Sequence, residues 1–265
     1  MSTIRVFCGC ACYSSIDSIH SSAWKNTFDE YLRHREAKYQ EPFREFTHCD
    51  YLEFVDGRLR YEGVESFLRS RGLVLPFGDP KDGPSTETIS GLGNRKDELF
   101  NRVLQEEGVE VFASTVELIK QLLRNGIKVG VATSSKNCAL VLEKAGIAEL
   151  FETSVDGLVS AELGLMGKPK PDIFTTACDK LGVRHHRAMI VEDAISGVQA
   201  GVRGGFGLTL GVARENNVEE LRRNGASLVV TDLSQISLED IDRWFEIKGG
   251  NSDSACLGVL RTRNQ

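Results

Sequence analysis

Four short strings in this chain of 265 residues carry side chains that could do chemistry. Thr133-Ser134-Ser135-Lys136-Asn137 follows an apolar run, Ile127 to Ala132. Hydroxyls there, with main-chain N–H groups opening the next helix, suit a phosphate; a simple helix cap is the structural alternative. Gly167-Lys168-Pro169-Lys170-Pro171-Asp172-Ile173-Phe174 holds Lys168 on a stiff segment just before a helix. A positive charge at a helix N-terminus opposes the macrodipole, so Lys168 is expected to have an anionic partner; otherwise it is a surface lysine in a tight turn. Glu192 and Asp193 end the apolar run Ala188 to Val191. Adjacent carboxylates repel unless they share a cation, and hard oxygen donors suit Mg²⁺; the alternative is a capping pair, with Asp193 as the cap. The last string is Cys8-Gly9-Cys10-Ala11-Cys12. Its alternating thiols share one face of an extended strand and, with Asp193 nearby, could hold Zn²⁺, although the spacing is not that of a C-x₂-C knuckle.

The elements that position these strings follow from periodicity. Residues 4–8 read as a strand, and this buried-strand reading is preferred to a signal peptide because the apolar stretch is short and one basic residue precedes it. Asp17 is placed to cap a helix in which Trp24, Phe28, Tyr31 and Leu32 recur at helical spacing. Residues 17–108 are mostly helical and polar, with a loop at Gly78 to Pro84. After about residue 109, strands and helices alternate. A Ser114-Thr115-Val116-Glu117 capping box opens a helix that ends at Gly126. Strands are expected at 127–132, 188–191, 206–211 and 227–230. Helices are expected at 137–145, from Pro171 to before Gly182, from about Ala194, and at 218–223. This rhythm predicts a parallel sheet covered on both faces, with residues 4–8 in the same sheet and the helical block inserted after it. Gly249 to Gln265 has no periodicity and is expected to be loose.

Composition narrows the function classes. Hydrophobic residues make up 41% and charged residues 26%, which is globular and excludes collagen, coiled coil and wholesale disorder. The formal charge of −6 argues against nucleic-acid or acidic-membrane partners, and no apolar run approaches the roughly 20 residues of a membrane span. Seven cysteines, an odd number with three inside five residues, argue for a reducing, cytoplasmic location rather than a disulfide scaffold. A monomer is expected.

In this order and spacing, T-S-S-K-N, K-P-x-P-D-x-F and V-E-D-x-x-x-G-x-x-A-G resemble the motifs of the haloacid dehalogenase (HAD) superfamily, and within it the β-phosphoglucomutase-like phosphatases and mutases. The resemblance covers nearly all of residues 4–246. It implies an α/β fold: a Rossmannoid parallel-sheet core, residues 1–16 plus 109–248, with an inserted helical cap, 17–108. It also implies Mg²⁺ and phosphoryl transfer through an aspartyl phosphate. By resemblance Thr133 binds the transferring phosphoryl, Lys168 steadies its charge, and Glu192 and Asp193 hold the metal. Ser134, Lys136 and Asn137 fall in the substrate-binding string. His20 and Trp24 stand where the family has a histidine and a tryptophan. Gly57-Arg58-Leu59-Arg60 resembles the substrate loop, with Arg60 on a distal phosphate. In Arg95-Lys96-Asp97, Lys96 is the residue that reaches the site when the cap closes. The bland reading of these cap residues is a solvated helix face. The implied ligand is a phosphorylated sugar recognised at both ends.

The first strand departs from the family. Where the family reads F-D-x-D-G, this chain reads Phe7-Cys8-Gly9-Cys10-Ala11, with Phe7 and His20 setting the register on either side. Cys8 therefore stands at the nucleophile's position and Cys10 at the acid/base position. A thiolate can attack phosphorus but is a soft ligand poorly matched to Mg²⁺. The arginine that a cysteine phosphatase places six residues after its thiol is absent: those positions hold Ser14, Ile16 and Ser18. Phosphoryl transfer is therefore expected to be impaired and Mg²⁺ binding weakened. Two alternatives stand beside that expectation: a non-catalytic sugar-phosphate-binding or regulatory protein, and an active enzyme whose residues 8–16 reflect a local frame error.

Overall fold

The computed structural model describes residues 5–8, 16–214 and 217–250. Cys10 and Cys12 lie outside them, and of Cys8 only the backbone is described. The elements in chain order are β1 (Arg5–Cys8), α1 (Ile16–Tyr39), α2 (His48–Asp50), which continues into a π turn at Tyr51–Val55, α3 (Arg60–Ser70), α4 (Ile89–Glu107) and α5 (Ala113–Arg124). They continue with β2 (Val129–Ala132), α6 (Cys138–Lys144), β3 (Thr153–Val155), α7 (Gly157–Leu163), α8 (Asp172–Lys180), β4 (Ala188–Glu192), α9 (Ile195–Arg203), β5 (Leu208–Val212), α10 (Val218–Arg223), β6 (Leu228–Val230) and α11 (Leu238–Gly250).

The six strands form one sheet in the order β3-β2-β1-β4-β5-β6, and every pairing is parallel. Side chains alternate between its faces. Met189 and Val191 join one apolar cluster with Leu118, Ile119 and Leu122 of α5 and Phe245 of α11. Ala188 and Ile190 join another with Ile173, Phe174 and Ala177 of α8. The sheet is thus covered on both faces, as parallel sheets require. The parallel α/β sheet with helices on both faces expected from the sequence is the fold observed.

A separate apolar cluster lies among the helices inserted after β1. Phe28 and Leu32 of α1, Phe67 of α3, Leu92 of α4 and Phe46 from the connection pack together, with the Phe28 and Phe67 rings 4.2 Å apart. Long α1 and α4 also reach the sheet: Ile16, Ile19, Phe100 and Leu104 pack in the sheet's own cluster.

Several local expectations need correction. Helix α1 starts at Ile16, so Asp17 lies inside it rather than at its cap. The Ser114–Glu117 capping box does not form: α5 begins at Ala113 with Phe112 in the cap position and no side-chain cap. Ser114 Oγ instead donates to Asp232 Oδ2 at 2.8 Å, a partner 118 positions along the chain. Asp193 does not cap α9, whose cap position is Ala194. Strand β3, helix α7 and most of α11 carried no clear pattern in the sequence; β3 is only three residues long. Helix α11 runs through Gly250, two residues into the stretch expected to be loose.

Candidate active site

Strand register brings the chemistry-bearing strings together. Cys8 pairs with Val131 of β2 and with Val191 of β4. The carboxyl ends of the three central strands are therefore level, with Glu192 ending β4 and Thr133 just beyond β2. This is the crevice where open α/β sheets bind ligands. The helical insert closes over it and leaves a cavity of about 90 Å³. Thr133, Ser134, Lys136, Asn137, Lys168, Glu192 and Asp193 line it from the sheet side, and His20, Trp24, Gly57, Arg60 and Lys96 from the helical side. Every candidate site residue whose side chain is described therefore lines one cavity.

Lys168 and Glu192 form the electrostatic centre. The ammonium donates to Glu192 Oε1, and the two side chains are 5% and 2% exposed. Burial pushes the Lys168 ammonium down, but the Glu192, Asp193 and Asp56 carboxylates outweigh it and hold it above the usual lysine range. Lys168 thus has the anionic partner its helix-terminus position called for. Glu192 is fixed further by the Ala194 N–H, 3.2 Å from Oε2, and by Gly197. A Cβ at Gly197 would stand 2.2 Å from the Glu192 carboxyl carbon, so any side chain there would displace the carboxylate.

The hydroxyl string after β2 does more than end a helix. Thr133 Oγ1 accepts from the Ser135 N–H at 3.1 Å. Asn137 stands at the cap position of α6 but makes no side-chain cap; its amide reaches Asp97 instead, at 2.7 Å. Across the cavity, Lys96 Nζ lies 2.5 Å from His20 Nδ1, and the His20 ring stacks on Phe100 at 4.2 Å. Burial, with the positive charges of Lys96 and Arg60, holds His20 well below its usual range. Its neighbour Lys96 is itself buried, with Nζ 4.5 Å above the Phe100 ring.

The helical side is seated on the sheet side by direct bonds. Ser134 Oγ donates to the Gly57 carbonyl at 2.8 Å. Gly57 has φ +69°, and a Cβ there would lie 2.3 Å from Ser196 Oγ. The Lys136 ammonium lies 4.7 Å over the Tyr61 ring.

Residues 15–205 match the haloacid dehalogenase-like hydrolase family. The chain belongs to this family. A β-phosphoglucomutase of Mycobacterium bovis is 40% identical over 223 residues, covering 83% of this chain and 85% of that protein. A β-phosphoglucomutase of Bacillus subtilis is 29% identical over 198 residues, covering 74% of this chain and 80% of that protein. Among solved structures, a β-phosphoglucomutase from Clostridium difficile superposes with a TM-score of 0.74 over 95% of this chain and 100% of that one, at 21% identity; that likeness shows the fold. The chain is thus a β-phosphoglucomutase-like HAD hydrolase. No helix among its described residues is long and apolar enough to cross a membrane.

Sequence reasoning did not single out Asp56, Asp97 or Ser196. Asp56 precedes the substrate-loop glycine and lines the cavity. Asp97 follows Lys96 and bonds both Arg60 and Asn137. Their adjacency to motif residues was the available signal.

Proposed function

We propose that this HAD hydrolase binds a phosphorylated sugar in the cavity between its sheet and its helical cap, and that its phosphoryl-transfer activity is low because Cys8 and Cys10 stand where the family has carboxylates. The observation that carries the binding reading is the cavity itself. One wall presents Thr133, Lys168, Glu192 and Asp193; the other presents Arg60, Lys96 and His20. A sugar with a phosphate at one end spans such a space, its hydroxyls meeting polar groups and its ring meeting Trp24.

Roles follow from chemistry. Thr133 and the N–H groups after it hold phosphoryl oxygens. Lys168 neutralises charge there, with Glu192 keeping its ammonium in place. Lys96 and His20 contact the sugar when the cap, taken as residues 17–108, is down over the core of 1–16 and 109–248, and closure excludes water. Glu192 and Asp193 are hard oxygen donors and fit Mg²⁺ by type. Among the described residues no group of three or more His, Cys, Asp or Glu is arranged to hold a metal, and position 8, where the family has a carboxylate, is a cysteine in this chain. Bound Mg²⁺ would neutralise the phosphoryl oxygens; a thiol at position 8 would weaken its hold.

The direct test assays the chain as written beside a Cys8→Asp/Cys10→Asp variant, with Mg²⁺ and a panel of sugar phosphates, after an intact-mass check. The variant is expected to gain at least about 10²–10⁴-fold in turnover, the range for restored general acid/base help alone. Equal turnover by the two proteins would overturn the impairment, and silence from both would count against the sugar-phosphate reading. A non-catalytic binding role is the outcome in which the chain as written binds a sugar phosphate without turning it over.

A further inference from the structure

We propose that Asp97 is a positioning residue that ties the cap to the core and thereby assembles the far end of the ligand site, an inference that rests on the sugar-phosphate reading above. Asp97 sits on α4 and does not line the cavity, whereas Arg60 and Asn137 do. Its Oδ1 accepts from Arg60 Nη2 at 2.7 Å and from Asn137 Nδ2 at 2.7 Å. Arg60 belongs to the cap helix α3, and Asn137 belongs to the core, in the turn between β2 and α6. A single carboxylate oxygen therefore bridges the two parts of the molecule from behind the cavity wall.

The bridge does three things. It gives Arg60 a charge-assisted bond in a setting where its side chain is only 11% exposed and that of Asp97 26%. Because the guanidinium is a planar fork, fixing one nitrogen orients the rest. It also pulls the Asn137 amide away from capping α6 and toward the same point. Finally, it places a negative charge beside two cations. Burial and the Arg60 charge press on the Lys136 ammonium, and Asp97 opposes them. With Asp97 in place, Arg60, Lys136 and Asn137 can face one anion together. These groups come from both parts of the molecule, so the subsite is whole only when the cap is seated. The Ser134 bond to the Gly57 carbonyl fastens the same seam a few residues away. A ligand too short to reach this corner gains nothing from it, so Asp97 acts through Arg60 and Asn137 as a selector for ligands with two anionic ends.

The test compares the full chain with Asp97→Ala and Asp97→Asn. Alanine favours the helix and removes both bonds; asparagine keeps an acceptor oxygen without the charge. Two readouts are taken: backbone hydrogen exchange at residues 56–60 and 134–137 without ligand, and calorimetric titration with glucose 1,6-bisphosphate, a sugar with two phosphates. Asp97→Ala is expected to exchange faster in both segments and to bind the bisphosphate about tenfold more weakly or worse, as loss of a charge-assisted bond implies. Asp97→Asn is expected to recover part of both. A purely structural role would lower the melting temperature and speed exchange throughout, with Asp97→Asn behaving as wild type in binding; that result overturns the proposal. So does an Asp97→Ala variant with wild-type exchange and affinity. If the wild type fails to bind the bisphosphate while Asp97→Ala still loosens both segments, the tie stands and the ligand reading falls.

Discussion

Lys168 and Glu192 illustrate how much a single buried pair can carry. Neither ion is solvated, so each depends on the other, and removing one strands the other in a medium that penalises charge. Lys168→Met is therefore expected to cost roughly 3–5 kcal/mol of stability, measured by urea unfolding. A Lys168→Met/Glu192→Leu double variant should recover much of that loss, because apolar replacement of a whole buried pair is often neutral. An additive double variant would refute the coupling. The sequence placed Lys168 on a stiff turn and called for an anion near it, both local inferences. Which anion answers depends on two segments meeting from 24 positions apart, and no local pattern encodes that.

At the level of helices, the cap holds a pair whose contribution depends on pH. Asp50 closes a capping box with Thr47 and bonds Arg71 at 2.8 Å, both ionic side chains being about a tenth exposed. Burial raises the Asp50 carboxyl, but Arg71 and the Thr47 N–H and hydroxyl outweigh it and leave it below the usual range. A carboxyl lowered by folding adds stability above its unfolded value, near 4, and that stability is lost as pH falls through the folded value. Asp50→Asn should thus be less stable than wild type by roughly 1.5–3 kcal/mol at pH 7. The gap should narrow in acid below about pH 4. Urea unfolding at the two pH values checks this; a gap that widens in acid would contradict the assignment. This capping box lay in a stretch read only as helical and polar. The box read at Ser114–Glu117 was spelled correctly and did not form, because Ser114 found Asp232. A capping motif is a local preference, and a tertiary partner of equal chemistry can override it.

Across the molecule, the proposed ligand binding depends on how the cap sits on the sheet. Gly57 is a contact point of that fit, with positive φ and no room for a Cβ against Ser196. Gly57→Ala is expected to cost about 1–2 kcal/mol for the left-handed backbone alone. It should also weaken binding of glucose 1,6-bisphosphate by lifting the loop from Ser134 and Ser196. Unfolding and titration separate the two effects, and a Gly57→Ala variant with wild-type affinity would show that the seam tolerates the side chain. The β/α alternation, the insert after the first strand and the four chemistry-bearing strings could all be read from the residues, because hydrophobic period, proline and glycine punctuation and short motifs act over a few positions. So could the cysteines at positions 8 and 10, whose chemistry raises the question of catalysis. Only the folded chain decided that β1 lies between β2 and β4, that Glu192 is the partner of Lys168, and that Asp97 joins Arg60 to Asn137. The side-chain pairings bridge 24 to 40 positions, and the strand order depends on how the whole sheet assembles. Packing sets them once the chain is compact, so they leave no periodic trace in the sequence.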